Sequence, residues 1–118
     1  MSRTPLLAIL MAASSFAQTP SEKNGKAVFD KWCLPCHGAV ASDHTMFGAG
    51  ALPGTAALAV KYQGKLPAVL EQRTDLKPAF IKNVVRHGLY GMPITRKTEV
   101  SDAELDDVVV YLTEHQRK

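Results

Sequence analysis

The only two cysteines of this chain stand three residues apart in "FDKWCLPCHG" (residues 29–38), and a histidine follows the second directly. Residues at i and i+3 lie on one side of a helical turn. Whatever Cys33 and Cys36 hold is therefore held twice along one edge, with the His37 imidazole brought beside it. Three chemistries use such a grouping: a redox dithiol, part of a zinc site, or covalent attachment of haem. A thioredoxin-like dithiol follows a strand and opens a helix, but here a helical pattern comes before the motif and a glycine-rich stretch after it. Structural zinc takes four ligands. Cys33, Cys36 and His37 supply three, two of them adjacent and strained around a tetrahedron, and His44, His87 and His115 have no paired metal spacing. Haem uses every residue: each thiol adds to one vinyl group of the porphyrin, and His37 comes under the iron.

The iron then has a second face, and what fills it decides between electron transfer and ligand chemistry. The candidates are Met46, Met92, His44, His87 and His115. Met92 is the expected ligand. It lies in an irregular stretch, "LYGMPIT", between two helical patterns, beside Pro93 and far enough from His37 to reach round the ring, and its thioether is a soft donor. Met46 is too near His37 to round the porphyrin edge and reads as core. His87 falls at a helix end where an imidazole suits the dipole; His44 and His115 read as surface residues.

The first residues read as an export signal: Arg3, the apolar run "PLLAILMAA", and small residues before a cut after Ala17. That run is too short to span a bilayer as a helix. One domain, residues 18–118, is expected after it, small enough that a cofactor would help complete its core. A helix is predicted over 21–33, capped by Ser21, with Gly25, Phe29 and Trp32 on one stripe. Residues 38–60 read as loop because Gly38, Gly48, Gly50, Pro53 and Gly54 interrupt any period. Pro67 is expected to open a short helix through Arg73, and Pro78 another bearing Phe80, Ile81, Val84 and Val85, which Gly88 stops. The "SDAE" at 101–104 is a capping box. It opens a last helix with Leu105, Val108, Val109 and Leu112 on one face, Tyr111 beside them, and Arg117 and Lys118 at its end. No strand pattern for a parallel sheet is present.

"CLPCHG", "VVRHGLYGMP" and "SDAELDDVVVYL" together resemble a class I c-type cytochrome with one haem, over most of residues 21–115. The resemblance implies a mainly α fold, four or so helices around one covalently bound haem c. It makes Cys33 and Cys36 the attachment sites, His37 the proximal ligand and Met92 the distal ligand. It implies that Gly25 and Phe29 cross Val108 and Tyr111, and that Arg86 faces a haem propionate or else sits solvated at a helix end. Pro53 is the expected carbonyl acceptor for the other His37 nitrogen, although the chain reads "GALPG" where the family has Gly-Pro adjacent. A narrower resemblance, carried by "AFIKNVVRHGLYGMPI" and the acidic start of the last helix, is to the cytochrome subunits of flavocytochromes that oxidise 4-alkylphenols, such as p-cresol methylhydroxylase and eugenol hydroxylase.

The expected function is that of a periplasmic one-electron carrier, itself not an enzyme. Its donor would be a flavoprotein dehydrogenase acting on a 4-alkylphenol, and its acceptor another cytochrome, a copper protein or an oxidase. The competing classes are a haem enzyme or gas-binding protein with an open sixth position, and a stand-alone respiratory cytochrome. Expected pocket residues are Trp32, Leu52, Leu58, Phe80, Ile81, Val84, Val85, Leu89, Tyr90 and Ile94, with Lys61, Lys65, Arg96 and Lys97 around the haem edge to steer an acidic partner. The formal net charge of +3 would be largely cancelled by two propionates and the loss of Arg3. No aromatic-basic recognition motif accompanies it, so nucleic acid is not an expected partner.

Overall fold

The computed structural model describes residues 18–39 and 52–114. The export segment (residues 1–17), His44, Met46, Gly48, Gly50, His115, Arg117 and Lys118 lie outside the described residues.

Helix α1 spans Glu22–Trp32. Ser21 is extended (φ −128°, ψ 127°), and its hydroxyl accepts the Asn24 N–H at 3.3 Å, so the predicted cap forms. A break at Cys33 leads into the single turn α2, Leu34–His37, with Pro35 in its first turn, where a missing N–H costs nothing. Part of the stretch read as loop is helical instead: α3 runs Pro53–Tyr62. Pro53 and Gly54 interrupt a helix only in its interior, and here they occupy its first turn, where the N–H groups have no intrahelical partner. The helix expected from Pro67 to Arg73 shrinks to a 3₁₀ turn at Leu70–Gln72, preceded by extended Val69 (φ −78°, ψ 122°). Helix α4, Pro78–His87, begins at its proline and stops at Gly88 (φ 75°) as expected. Helix α5 is Asp102–Glu114. Its capping box is complete: the Ser101 N–H donates to Glu104 Oε2 at 2.7 Å, and the Glu104 N–H donates to Ser101 Oγ at 3.2 Å. Among the described residues the only β-type pairing is one antiparallel bridge, Leu89 to Met92.

The core is Phe29, Leu76, Ile81, Val100, Leu105, Val108, Val109, Tyr111 and Leu112. More than half of it comes from α5, so that helix organises the domain. It crosses α1 closely enough that a methyl added at Gly25 would lie 2.0 Å from the Asp107 carbonyl oxygen and 2.8 Å from Tyr111 Cβ. Phe29 and Tyr111 stack at the crossing, their centroids 5.5 Å apart and tilted by 54°, an arrangement aromatic pairs favour. The Ser21 N–H donates to Asp107 Oδ1 at 2.6 Å, locking the entry to α1 onto α5. The contact implied by the cytochrome resemblance is thus formed, in a mainly helical molecule that carries the two cysteines at the free end of α1.

Candidate haem site

The Cys-x-x-Cys-His segment is one tight turn. The Cys33 carbonyl accepts the N–H of Cys36 at 3.1 Å and that of His37 at 2.9 Å, while the Cys33 N–H donates back to Phe29. The motif is therefore an extension of α1 and inherits the rigidity of its packing on α5. Both cysteines are free thiols, Cys33 half-buried and Cys36 exposed. Burial, with Cys36 alongside as a lesser cause, pushes the Cys33 thiol up to about 11. Burial also holds His37 below the usual histidine range, which keeps its imidazole neutral, the form that ligates a metal.

The ring of His37 is backed by the start of α3. A methyl at Gly54 would lie 2.6 Å from its Cε1, 2.7 Å from its Nδ1 and 2.8 Å from the Cys36 carbonyl oxygen. Glycine is required there because the helix backbone itself forms the wall behind the imidazole. Thr55, buried, fastens that wall. Its hydroxyl donates to the Gly38 carbonyl at 2.9 Å and lies 3.5 Å from that of Cys36. Neither residue stands out in the sequence. The available signal was a Pro-Gly-Thr opening a helix, read instead as a break. Pro53 is exposed at N1 of α3, and His37 Nδ1 is buried with no hydrogen-bond partner.

Met92, the expected distal ligand, sits half-buried in a four-residue turn closed by reciprocal bonds, the Leu89 N–H to the Met92 carbonyl at 3.2 Å and the Met92 N–H to the Leu89 carbonyl at 2.9 Å. Tyr90, inside the turn, has φ 52°, a backbone that costs a non-glycine residue energy and that persists only where the surroundings impose it. Gly88 lets the turn fold back on α4, since a methyl there would lie 2.7 Å from the Met92 carbonyl oxygen. The Thr95 N–H donates to the Val85 carbonyl at 2.8 Å, returning the chain to α4 after the turn.

A bound haem must find apolar surface, and these elements hold it in reserve. Trp32 at the end of α1, Phe80 in α4, and Leu89, Tyr90 and Ile94 around Met92 are 38–93% exposed, while Leu52, Leu58, Val84 and Val85 are half-buried. Ile81 departs from the expected pocket and lies in the core, 6% exposed, because α4 turns that face toward α5. These exposed side chains are apolar surface that a bound haem could cover. The donor chemistry also fits: two thiols one turn apart, an imidazole braced from behind, and a methionine in a pinned turn. Cys33, Cys36, His37 and Met92 are the haem-holding residues that the c-type resemblance implies.

Arg86 is neither solvated nor free. It donates to the Thr95 carbonyl at 3.0 Å and to Asp102 Oδ1 at 2.9 Å, and its side chain is 16% exposed. His87 is exposed, with Nδ1 3.0 Å from the Asn83 carbonyl. Of the four expected steering cations, Lys61 lies over both Tyr62 and Tyr90 and Lys97 pairs with Asp102 at 2.7 Å. Arg96 uses its backbone N–H to hold Glu99 Oε2 at 2.7 Å, and Lys65 is exposed. Among the described residues no helix is long and apolar enough to cross a membrane.

In comparison with known families, the model described as cytochrome C oxidase, cbb3-type, subunit III matches residues 20–112. Neither the curated proteins nor the solved structures include a match to the chain. The matched span takes in the thiol turn, the braced histidine, the methionine turn and nearly all of the helix that packs them together. The chain accordingly belongs to this cytochrome family, a mainly helical, single-haem c-type domain that carries electrons on a covalently bound haem.

Proposed function

We propose that the protein works outside the cytoplasm, in the periplasm, as a one-electron carrier whose haem iron is held by His37 and Met92. The observation that carries this reading is the pairing of a braced imidazole with a thioether in a closed, glycine-folded turn. The His37 ring lies against the start of α3, and the backbone of the Met92 turn is folded onto α4, an arrangement suited to keeping both ligands through a redox cycle. The haem supplies a ferric/ferrous couple, and thioether ligation with apolar surroundings favours the ferrous state. The side chains do the rest. Thr55 and Gly54 hold the imidazole against rotation, and the Met92 turn excludes exogenous ligands. The exposed aromatics would supply apolar cover to a bound haem, with Lys61, Lys65, Arg96 and Lys97 available to steer an acidic partner. The expected hydrogen bond from His37 Nδ1 to the Pro53 carbonyl is not made: Nδ1 is buried without a partner, and Pro53 opens α3 as an exposed first residue.

The proposed donor is a flavoprotein dehydrogenase oxidising a 4-alkylphenol. What supports it is the resemblance of "AFIKNVVRHGLYGMPI" and the acidic helix start to the cytochrome subunits of such flavocytochromes. The family description names an oxidase, which supports an oxidase, rather than a copper protein or a further cytochrome, as the acceptor.

Two measurements test this. Carbon monoxide should bind the native ferrous protein slowly and incompletely, and Met92→Ala should open the iron and lower the reduction potential. Rapid, complete binding by the wild type would make this a ligand-binding haem protein instead. For the donor, the purified protein should be reduced by a 4-alkylphenol only when a flavin subunit is present; reduction by a membrane oxidoreductase alone rejects that partner.

A further inference from the structure

The distal turn is tied to two helices through one side chain that the ligand set does not include. Arg86, in the last turn of α4, donates one terminal nitrogen to the Thr95 carbonyl at 3.0 Å and the other to Asp102 Oδ1 at 2.9 Å. Thr95 is the residue at which the Met92 segment rejoins α4, through its N–H to the Val85 carbonyl. Both sides of the Thr95 residue are therefore clamped, the N–H by helix backbone and the carbonyl by a guanidinium. Asp102 opens α5, the helix that organises the core. Its second oxygen takes Lys97 Nζ at 2.7 Å, a cation from the same inter-helix segment. The clamp is shielded on the arginine side, where the side chain is 16% exposed, and open on the aspartate side, where it is 63% exposed.

The geometry points to Arg86 as the residue that positions the Met92 thioether, acting through the Thr95 carbonyl and anchored to α5 by Asp102. This rests on the His37/Met92 ligation read above. It differs from the propionate contact implied by the cytochrome resemblance, because each terminal nitrogen gives an N–H inside the fold, one to the loop and one to Asp102. Nε is buried without a partner. Charge-assisted hydrogen bonds are the stronger kind. Losing this one frees the base of a loop whose tip, at Tyr90, is held in a strained backbone, so the methionine should leave the iron more often.

The test uses the exported holoprotein and Arg86→Gln, Arg86→Lys and Asp102→Asn. Three readouts apply: the near-infrared band of methionine-ligated ferric haem, the rate of carbon monoxide binding to ferrous protein, and hydrogen exchange at the Thr95 and Met92 amides. In Arg86→Gln, carbon monoxide binding and Thr95 exchange should both quicken about tenfold or more, the change that loss of a hydrogen bond to a charged group allows. Asp102→Asn should move both in the same direction by less, and Arg86→Lys should restore part. The clamp is overturned if Arg86→Gln keeps wild-type binding rates and Thr95 protection while its potential shifts, which would place Arg86 on a propionate. Should Arg86→Gln not fold, unchanged exchange in Asp102→Asn together with Arg86→Lys overturns it equally. A wild type without the methionine band, unchanged in Met92→Ala, refutes the ligation reading instead, so the two failures are distinct.

Discussion

Gly25→Ala puts one methyl group into the α1–α5 crossing, and the outcome can be worked out atom by atom. The new carbon would lie 2.0 Å from the Asp107 carbonyl oxygen, 2.5 Å from its carbon and 2.8 Å from Tyr111 Cβ. Unstrained contacts between such atoms lie near 3.5 Å, so the helices must part by more than an ångström. Two of the three neighbours are backbone, so no side-chain rotation relieves the clash. Parting the helices stretches the 2.6 Å bond from the Ser21 N–H to Asp107 and loosens the Phe29–Tyr111 stack. Overpacking of this kind costs up to about 3 kcal/mol, against which alanine regains roughly 1 kcal/mol of helix propensity over glycine. The net loss of about 2 kcal/mol corresponds to a fall in Tm of roughly 10 °C for a domain of this size. Ala27, exposed two residues along the same helix, supplies the control: Ala27→Gly should cost about 1 kcal/mol by propensity alone. Denaturant titration of the ferric holoprotein by far-ultraviolet circular dichroism measures both. The two variants must move against intrinsic propensity at one site and with it at the other. A Gly25→Ala protein as stable as wild type would show that the helices do not cross this closely.

Thr55→Val removes the hydroxyl that joins α3 to the carbonyls behind the thiol turn and leaves the Gly38 carbonyl without this donor. It should cost about 1–3 kcal/mol and lower the denaturation midpoint of the holoprotein; an unchanged midpoint would separate α3 from the site. Acid should destabilise the fold through three carboxyls held below their usual range: Asp75 by Arg73, Asp102 by Lys97 and then Arg86, and Glu104 by the Ser101 N–H. Depressed folded values mean that this stability is complete above the ordinary range near 4 and is lost as pH falls through the lower folded values. Thermal melts should accordingly show the gap between wild type and Asp102→Asn closing below about pH 4. The Asp102 share should also fade with salt, and a gap that widened in acid would reverse the assigned sign.

What could be read in advance follows from how local each determinant is. The thiol turn and the capping box are complete within five and four residues. Their geometry is dictated by neighbours in the chain, so Cys33, Cys36, His37 and the start of α5 were legible from residue type and spacing. The same holds for α4, bounded by Pro78 at one end and Gly88 at the other. The start of α3 was misread because Pro53 and Gly54 carry opposite meanings at a helix start and in its interior, and only tertiary packing says which applies. Gly54 is needed because the His37 ring lies against it, and Thr55 because the Gly38 carbonyl lies above it; both partners precede the segment outside the described residues. Pro67 shows the reverse error. The rule that a proline opens a helix held at Pro53 and Pro78 but failed there. Just beyond it the chain is shaped by the buried Arg73, which binds Asp75 at 2.5 Å and stacks on Tyr62. Arg86 was singled out only through the cytochrome resemblance, and its partners, a carbonyl in the methionine loop and a carboxylate on α5, are properties of the assembled molecule. The groups expected to bond a haem are thus concentrated in short motifs. The groups that hold those bonds in place come from the far ends of helices. A substitution survey read from sequence alone would therefore target the expected ligands and miss Gly54, Thr55 and the Arg86–Asp102 pairing.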